Sequence, residues 1–252
     1  YGFLWEALRP LSVEKHIDYG AYDGRVIRTL VDTGCVQHAV GVDVNKKIVS
    51  KNRHLMPDGV ELYLVERGKP LPFEDDIFDS ASLLDVLEHV ADQEAVLSEI
   101  RRVLKPGGRL IVTVPGKHLF SFLDTGNFKF RFLQLHRFLY LMRHSEADYN
   151  HRYVDNPDGL IGDIEREKAW HEHFSPAELR RLLALGGFQA ISFDGSGFFA
   201  RLILPLRLIS PGVLGRMWER VLNADARLFG RTNLFCMAVL DDITLQEPQP
   251  GK

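Results

Sequence analysis

Cysteine is scarce in this chain: Cys35 and Cys236 are the only thiols among 252 residues. Two thiols cannot build a disulfide framework, so a hydrophobic core must hold the fold. Reduced cysteines in a cytoplasmic protein are the expected state. An excess of one charge is missing too, since 31 basic residues face 34 acidic ones for a net charge of −3. That balance excludes a global field drawing the chain to nucleic acid. No basic stripe interleaved with aromatics appears either, so nucleic acid is not an expected partner. Long hydrophobic runs are absent, and none reaches the roughly 18–20 apolar residues that a membrane span needs. No secretory signal is visible; the chain starts at Tyr1 rather than Met, which leaves a trimmed targeting segment open. What is present is a 45% hydrophobic content, enough for a substantial core. The length suits one large domain, or one domain with an appendage.

Apolar runs alternate with helical patterns from residue 15 to 115, which argues for a parallel sheet with crossover helices. Candidate strands are 15–19, 37–42, 60–65, 78–84 and 108–114, and candidate helices are 24–33, 45–54 and 92–104. The most informative stretch, Ile17-Asp18-Tyr19-Gly20-Ala21-Tyr22-Asp23-Gly24, covers the first strand-to-helix turn. Two glycines four apart allow a tight turn and a close approach of backbone to ligand. The helix that follows offers unpaired N–H groups and a partial positive charge. Together they suit a nucleotide or a carboxylate. The second strand ends on Asp43, 19 residues past Gly24, where a carboxylate can accept from two ribose hydroxyls. Capping of the next helix is the other reading of Asp43.

Four blocks in this order carry a family resemblance. They are Asp18-Tyr19-Gly20-Ala21-Tyr22-Asp23-Gly24, then Val42-Asp43, then Leu71-Pro72-Phe73-Glu74-Asp75-Asp76-Ile77-Phe78-Asp79 running into Leu87-Glu88-His89-Val90, then Leu104-Lys105-Pro106-Gly107-Gly108-Arg109-Leu110. The set resembles the class I S-adenosylmethionine-dependent methyltransferases, in the subgroup that includes ubiquinone and menaquinone biosynthesis enzymes. A weaker echo, Phe174-Ser175-Pro176-Ala177-Glu178-Leu179 leading to Gly186-Gly187-Phe188, extends it to about residue 195. The resemblance implies an α/β fold: a Rossmann-like, seven-stranded, mostly parallel sheet with helices on both faces. It implies S-adenosylmethionine as cofactor, with Asp18, Gly20, Ala21, Tyr22, Gly24, Asp43, Val44, Glu66, Arg67, Leu84 and Asp85 around it and no metal. Two positions depart from the family pattern: Tyr22 stands where a second glycine is usual, and Arg67 takes the slot of the acid near adenine, leaving Glu66 displaced by one. Adenine contact then falls to backbone groups and to apolar neighbours such as Leu71.

The same resemblance divides the chain into a cofactor-binding half (1–115), a lid or substrate insertion (116–174), a C-terminal part (175–241) with a helical insertion at 196–231, and a tail (242–252). In the lid, Phe128, Phe130, Phe132 and Tyr140 suit an apolar acceptor pocket or a core. Lys129, Arg131, Arg137 and Arg143 suit an anionic group or a solvated helix face. Leu133 to His144 reads as a helix, and Ser145 to Gly162 as a polar loop. The second insertion reads as two apolar helical stretches carrying arginines. A helical pair packed on the fold, a lipid-substrate tunnel, a dimer surface and peripheral membrane contact through 198–229 are its readings.

Methyl transfer needs a donor and an acceptor held in line, and a base where the acceptor carries a high-pKa proton. Asp85 and His89 lie four apart, so on a helical turn they would share a face. With His171 and His173 they are the candidate catalytic residues, since histidine titrates near neutrality. Structural support of the cofactor loop is the other reading of His89, and a surface loop that of the 171–173 pair. The expected activity is methyl transfer to a small-molecule, glycan or lipid-like acceptor. A non-catalytic relative that binds S-adenosylmethionine as a scaffold is the alternative. A nicotinamide-dependent oxidoreductase is disfavoured, because the glycine turn lacks the third glycine of the dinucleotide fingerprint. Oligomeric state is left undetermined.

Overall fold

Why the early strands pair as they do is visible in their side chains. β1 (Val13–Tyr19), β2 (Val36–Asp43), β3 (Val60–Leu64), β4 (Phe78–Leu84) and β5 (Leu104–Pro115) lie side by side in parallel. β4 and most of β5 are buried on both faces and read as near-continuous apolar or small residues, as parallel strands covered on two sides must. Two antiparallel strands, β6 (Phe188–Ser196) and β7 (Asn233–Leu240), complete the sheet in the order β3-β2-β1-β4-β5-β7-β6. The computed structural model describes residues 2–117, 132–155, 172–197, 199–228 and 232–241.

Helices cover both faces. On one face Ile17, Leu83 and Leu110 pack in a cluster with Leu97 and Ile100 of α4 and with Leu179 and Leu183 of a later helix. On the other, Val36, Ala39 and Ile111 pack with Leu4 and Leu8 of α1 and Ile27 and Leu30 of α2. In chain order these helices are α1 (Gly2–Leu8), α2 (Arg25–Asp32), α3 (Lys46–Asn52), α4 (Gln93–Val103), α5 (Leu133–Leu141), α6 (Glu146–Asn150), α7 (Pro176–Leu185), α8 (Ala200–Ile209) and α9 (Gly212–Leu228). Their starts are chemically specified. Asn45 accepts from Ile48 N at 3.1 Å and Asp92 from Ala95 N at 2.9 Å. Ser175 and Glu178 form a capping box ahead of α7.

Two expectations are corrected. The segment 145–162, read as a polar loop, begins with helix α6, because Ser145 and Asp148 form a capping box, and continues in one turn of π-helix at His151–Asp155. The segment after β4 is a turn rather than helical: Asp85 has φ of 56°, and the helix begins only at Gln93. The four-residue spacing of Asp85 and His89 therefore does not put them on one helix face.

The carboxyl ends of β1 to β5 all lie on one edge of the sheet, and the chain switches direction between β1 and β4. That switch point is where open α/β sheets leave a ligand crevice. β6 and β5 are both antiparallel to β7, so β6 also ends on this edge. Both insertions therefore leave the sheet beside the crevice, and their roots are tied. Gly116 bridges Phe174, Gly116 N donates to Thr232 O at 2.8 Å, and Thr232 Oγ1 donates to Gly197 O at 3.1 Å.

Candidate cofactor crevice and active site

The glycine turn and the tip of β2 form a single structure. Gly20 N and Ala21 N both donate to Val42 O, at 2.8 and 3.1 Å. Tyr22 N donates to Asp43 Oδ2 at 2.8 Å, and Asn45 N to Asp43 Oδ1 at 2.8 Å. Each carboxylate oxygen keeps further lone pairs for a ligand. Gly20 (φ 85°) and Gly24 (φ 73°) take left-handed backbone. A Cβ on Gly20 would stand 2.5 Å from Val86 Cγ2, so the tight approach of the β1 and β4 tips depends on its absence. Tyr22 also has positive φ, at 51°, and its side chain is exposed; a non-glycine residue there stores strain of about 1 kcal/mol.

Val44 is half-buried in the bend after β2, and Leu84, also half-buried, closes β4. Glu66 and Arg67 are exposed in the turn that follows β3. Val65 N donates to Asp43 O at 3.0 Å, which sets that turn against the β2 tip. Leu71 is a correction: it is buried in the core rather than open to adenine, and its N–H donates to Glu99 Oε1 at 2.6 Å. The Leu-Pro-Phe block is held by Arg102. Its guanidinium donates to Phe73 O at 2.9 Å, Leu71 O at 3.2 Å, Asp75 Oδ1 at 2.6 Å and both oxygens of Glu99.

Asp85 is held by Thr113 of β5. Its N–H donates to Thr113 O and Oγ1, both at 3.0 Å, and Thr113 Oγ1 donates to Asp85 Oδ1 at 2.9 Å. His89 lies in the turn beyond, half-buried, with Nε2 3.9 Å from Oε1 of the buried Glu88. His173 is half-buried on the strand-like return from the lid. That return is docked by Phe174 N donating to Pro115 O and by the Gln93 amide, which donates to Leu87 O at 2.7 Å and to Glu172 Oε2 at 2.9 Å. Asp85, His89 and His173 are thus gathered on the carboxyl edge. His171, together with Phe128, Phe130, Lys129 and Arg131, lies outside the described residues. Among the described residues no group of three or more His, Cys, Asp or Glu has a metal-binding arrangement.

Sequence reasoning missed Thr113, Gln93 and the partners of Asp18. Asp18 is buried and accepts from Ser82 Oγ at 2.5 Å. Burial lifts its carboxyl to about 7, against the Ser82 hydrogen bond, with the charge of Asp43 adding to the lift. A buried polar run in two neighbouring strands, with His16 and Asp18 on one face of β1 and Ser80 and Ser82 opposite them in β4, was the available signal.

A sheet of this order, with a glycine turn tied to a carboxylate at the second strand tip, defines the class I S-adenosylmethionine-dependent methyltransferase fold. Residues 17–112 match the methyltransferase domain family. The chain is 32% identical over 108 residues to the demethylmenaquinone methyltransferase of Clavibacter sepedonicus, covering 42% of this chain and 43% of that protein. It is 34% identical over 88 residues to the ubiquinone/menaquinone biosynthesis C-methyltransferase UbiE of Vibrio vulnificus, covering 33% and 34%. Its matches thus span less than half the length of these curated relatives. A SAM-dependent methyltransferase structure from Methanosarcina mazei superposes with a TM-score of 0.54 at 19% identity, covering 96% of this chain and 98% of that one.

Proposed function

We propose that this chain transfers a methyl group from S-adenosylmethionine to a small acceptor with an apolar body. The observation that carries the reading is the Tyr22 N to Asp43 Oδ2 hydrogen bond, which joins the glycine turn and the ribose acid in one crevice. The residues fit the donor: Gly20 takes the left-handed backbone of a tight turn at the β1 tip, and Asp43 is oriented by two backbone donors. In this reading Asp43 holds the ribose hydroxyls, Asp18 faces the amino-acid end, and Glu66 and Arg67 flank the adenine side. When bound, the sulfonium supplies an electrophilic methyl group whose bonding pair returns to sulfur on transfer. Asp85, positioned by Thr113, orients the acceptor. His89 or His173 takes the proton that an acceptor hydroxyl or carbon must lose.

The apolar acceptor is supported by the exposed apolar side chains of the two insertions. Leu135, Phe138 and Leu139 of α5 are exposed, as are Leu208, Ile209, Val213, Leu214 and Met217 where α8 meets α9. Both segments arise from insertions rooted on the carboxyl edge. The relatives' names point to quinone precursors, which pair a ring nucleophile with an apolar tail. Contact of the α8–α9 tip with a lipid surface belongs to this reading. No described helix is long and apolar enough to cross a membrane.

The test is calorimetric binding of S-adenosylhomocysteine followed by turnover on phenolic and quinol acceptors of increasing tail length. Binding with micromolar affinity and faster turnover on longer tails are expected. No binding would end the reading. Binding without turnover on any acceptor would leave the scaffold alternative.

A further inference from the structure

Beneath the crevice runs a polar chain that the reaction does not obviously need. His16 Nδ1 lies 2.8 Å from Ser80 Oγ, His16 Nε2 lies 3.0 Å from Ser82 Oγ, and Ser82 Oγ donates to Asp18 Oδ1 at 2.5 Å. All four side chains are buried. By strand alternation they occupy one face of β1 and β4, where apolar residues would pack without any hydrogen-bonding requirement. A fully satisfied polar run in such a place rigidifies what stands at its end, and here the end is a site carboxylate.

The hydrogen atoms fix a direction. Ser82 has one hydroxyl hydrogen and gives it to Asp18, so toward the ring Ser82 accepts and Nε2 carries the proton. Nδ1 then accepts from Ser80. If Asp18 gains a proton, the whole chain can reverse: Asp18 donates to Ser82, Ser82 donates to Nε2, and Nδ1–H donates to Ser80. The ring remains neutral in both arrangements, consistent with burial dropping it to about 3. The charged and titratable groups facing Asp18 are His16 on its own strand, linked through Ser82, and Asp43 at the β2 tip. Among the described residues no cation enters its balance.

We propose that His16 is a positioning residue for donor recognition: through Ser82 it holds Asp18 as a hydrogen-bond acceptor, ready for the ammonium group of the cofactor's amino-acid end. The proposal rests on the methyltransferase reading and deepens it. Donor binding drives the Asp18 proton out to solvent, and the His16 ring changes tautomer from Nδ1–H to Nε2–H as it does so. Asp18 and the chain carry no net electron change, only one proton released.

The experiment uses the full chain labelled with ¹⁵N-histidine and S-adenosylhomocysteine as probe. Ring nitrogen shifts of His16 at about pH 6 should report Nδ1–H without the probe and Nε2–H with it. Calorimetry in buffers of different ionisation enthalpy should show release of close to one proton there, falling toward zero at about pH 8. His16→Val should weaken the probe by about fivefold or more at neutral pH and move the rise of affinity to higher pH. Ser82→Ala, which keeps the ring and cuts the link, should do the same. A folded His16→Val protein with wild-type affinity across about pH 6–8, or a lower melting temperature alone, would overturn the proposal. So would a tautomer unchanged by bound probe. If the wild type bound no probe at any pH, the methyltransferase reading would fall instead. The tautomer's response to pH would then still read the chain directly, and a fixed tautomer would refute it.

Discussion

At the scale of single residues, the crevice places an ionisable group where burial works against its charge, and this sets a stability cost. Asp18 titrates near 7 in the folded chain against 3.8 as its ordinary value. Across that window the folded state keeps a proton that the unfolded chain has released, so this group lowers stability as pH rises from about 4 to 7. His16 acts oppositely. Its ring is pushed from 6.5 to about 3, so the unfolded chain binds a proton first and stability falls as pH drops through that range. Asp18→Asn removes only the first slope. The ligand-free variant should be more stable than wild type at neutral pH by on the order of 2 kcal/mol, with the difference fading near pH 4 and S-adenosylhomocysteine affinity reduced at least about tenfold. Thermal melts and calorimetry across pH check both. Gly20→Ala meets the Val86 methyl at 2.5 Å in a left-handed backbone. It should cost about 2–3 kcal/mol of stability and abolish measurable binding of the same ligand, as urea unfolding and titration would show. Gly20 and Asp43 were legible because turn geometry and a carboxylate at a strand tip have local signatures. Thr113 and His16 were not, because each matters through a partner on a neighbouring strand distant in sequence.

At the scale of elements, the strands and helices from residue 13 to 115 follow the sequence pattern closely, since alternating apolar runs and capping residues act locally. The departures share one cause. Helix α1, helix α6 and the turn after β4 are short, and their form is set by tertiary contacts or by one side chain. α6 exists because Asp148 answers Ser145, a capping box inside a stretch whose overall polarity reads as loop. The Leu-Pro-Phe block likewise has no regular structure of its own. It is fixed from outside by Arg102, whose side chain is largely buried and satisfies two backbone carbonyls as well as two carboxylates. Arg102→Ala leaves those groups unpaired and should lower stability by about 2 kcal/mol, or roughly 5 °C in melting temperature. Arg102→Lys should recover only part of it, because one ammonium cannot replace a planar fork. A differential scanning series on the three proteins measures this.

At the scale of the whole molecule, the distribution of exposed apolar side chains is uneven. It concentrates on α5 and on the α8–α9 tip, where Leu208, Ile209 and Val213 are each at least 70% exposed. Arg216 and Arg220 of α9 are exposed and make no ion pair with a described residue, so the tip combines aliphatic and basic character. Replacing Leu208, Ile209 and Val213 with serine should leave S-adenosylhomocysteine binding unchanged. It should reduce sedimentation with vesicles containing about 30% anionic phospholipid by at least about fivefold. Equal sedimentation of the two proteins would remove lipid contact from the proposed function. The sequence showed that this segment was apolar and helical, but not that the sheet would deliver both insertions to the same edge. That follows only from β7 running antiparallel between β5 and β6.

The knot of backbone around Gly116, Phe174, Gly197 and Thr232 gives the two appendages one common hinge pin. The two insertions are thereby joined at their base, while the turns after β1 and β2 take no part in these contacts. Under the proposed function, exchanging both insertions together at those four positions should change acceptor preference and leave S-adenosylhomocysteine binding as it is, which turnover on an acceptor series and calorimetry would check.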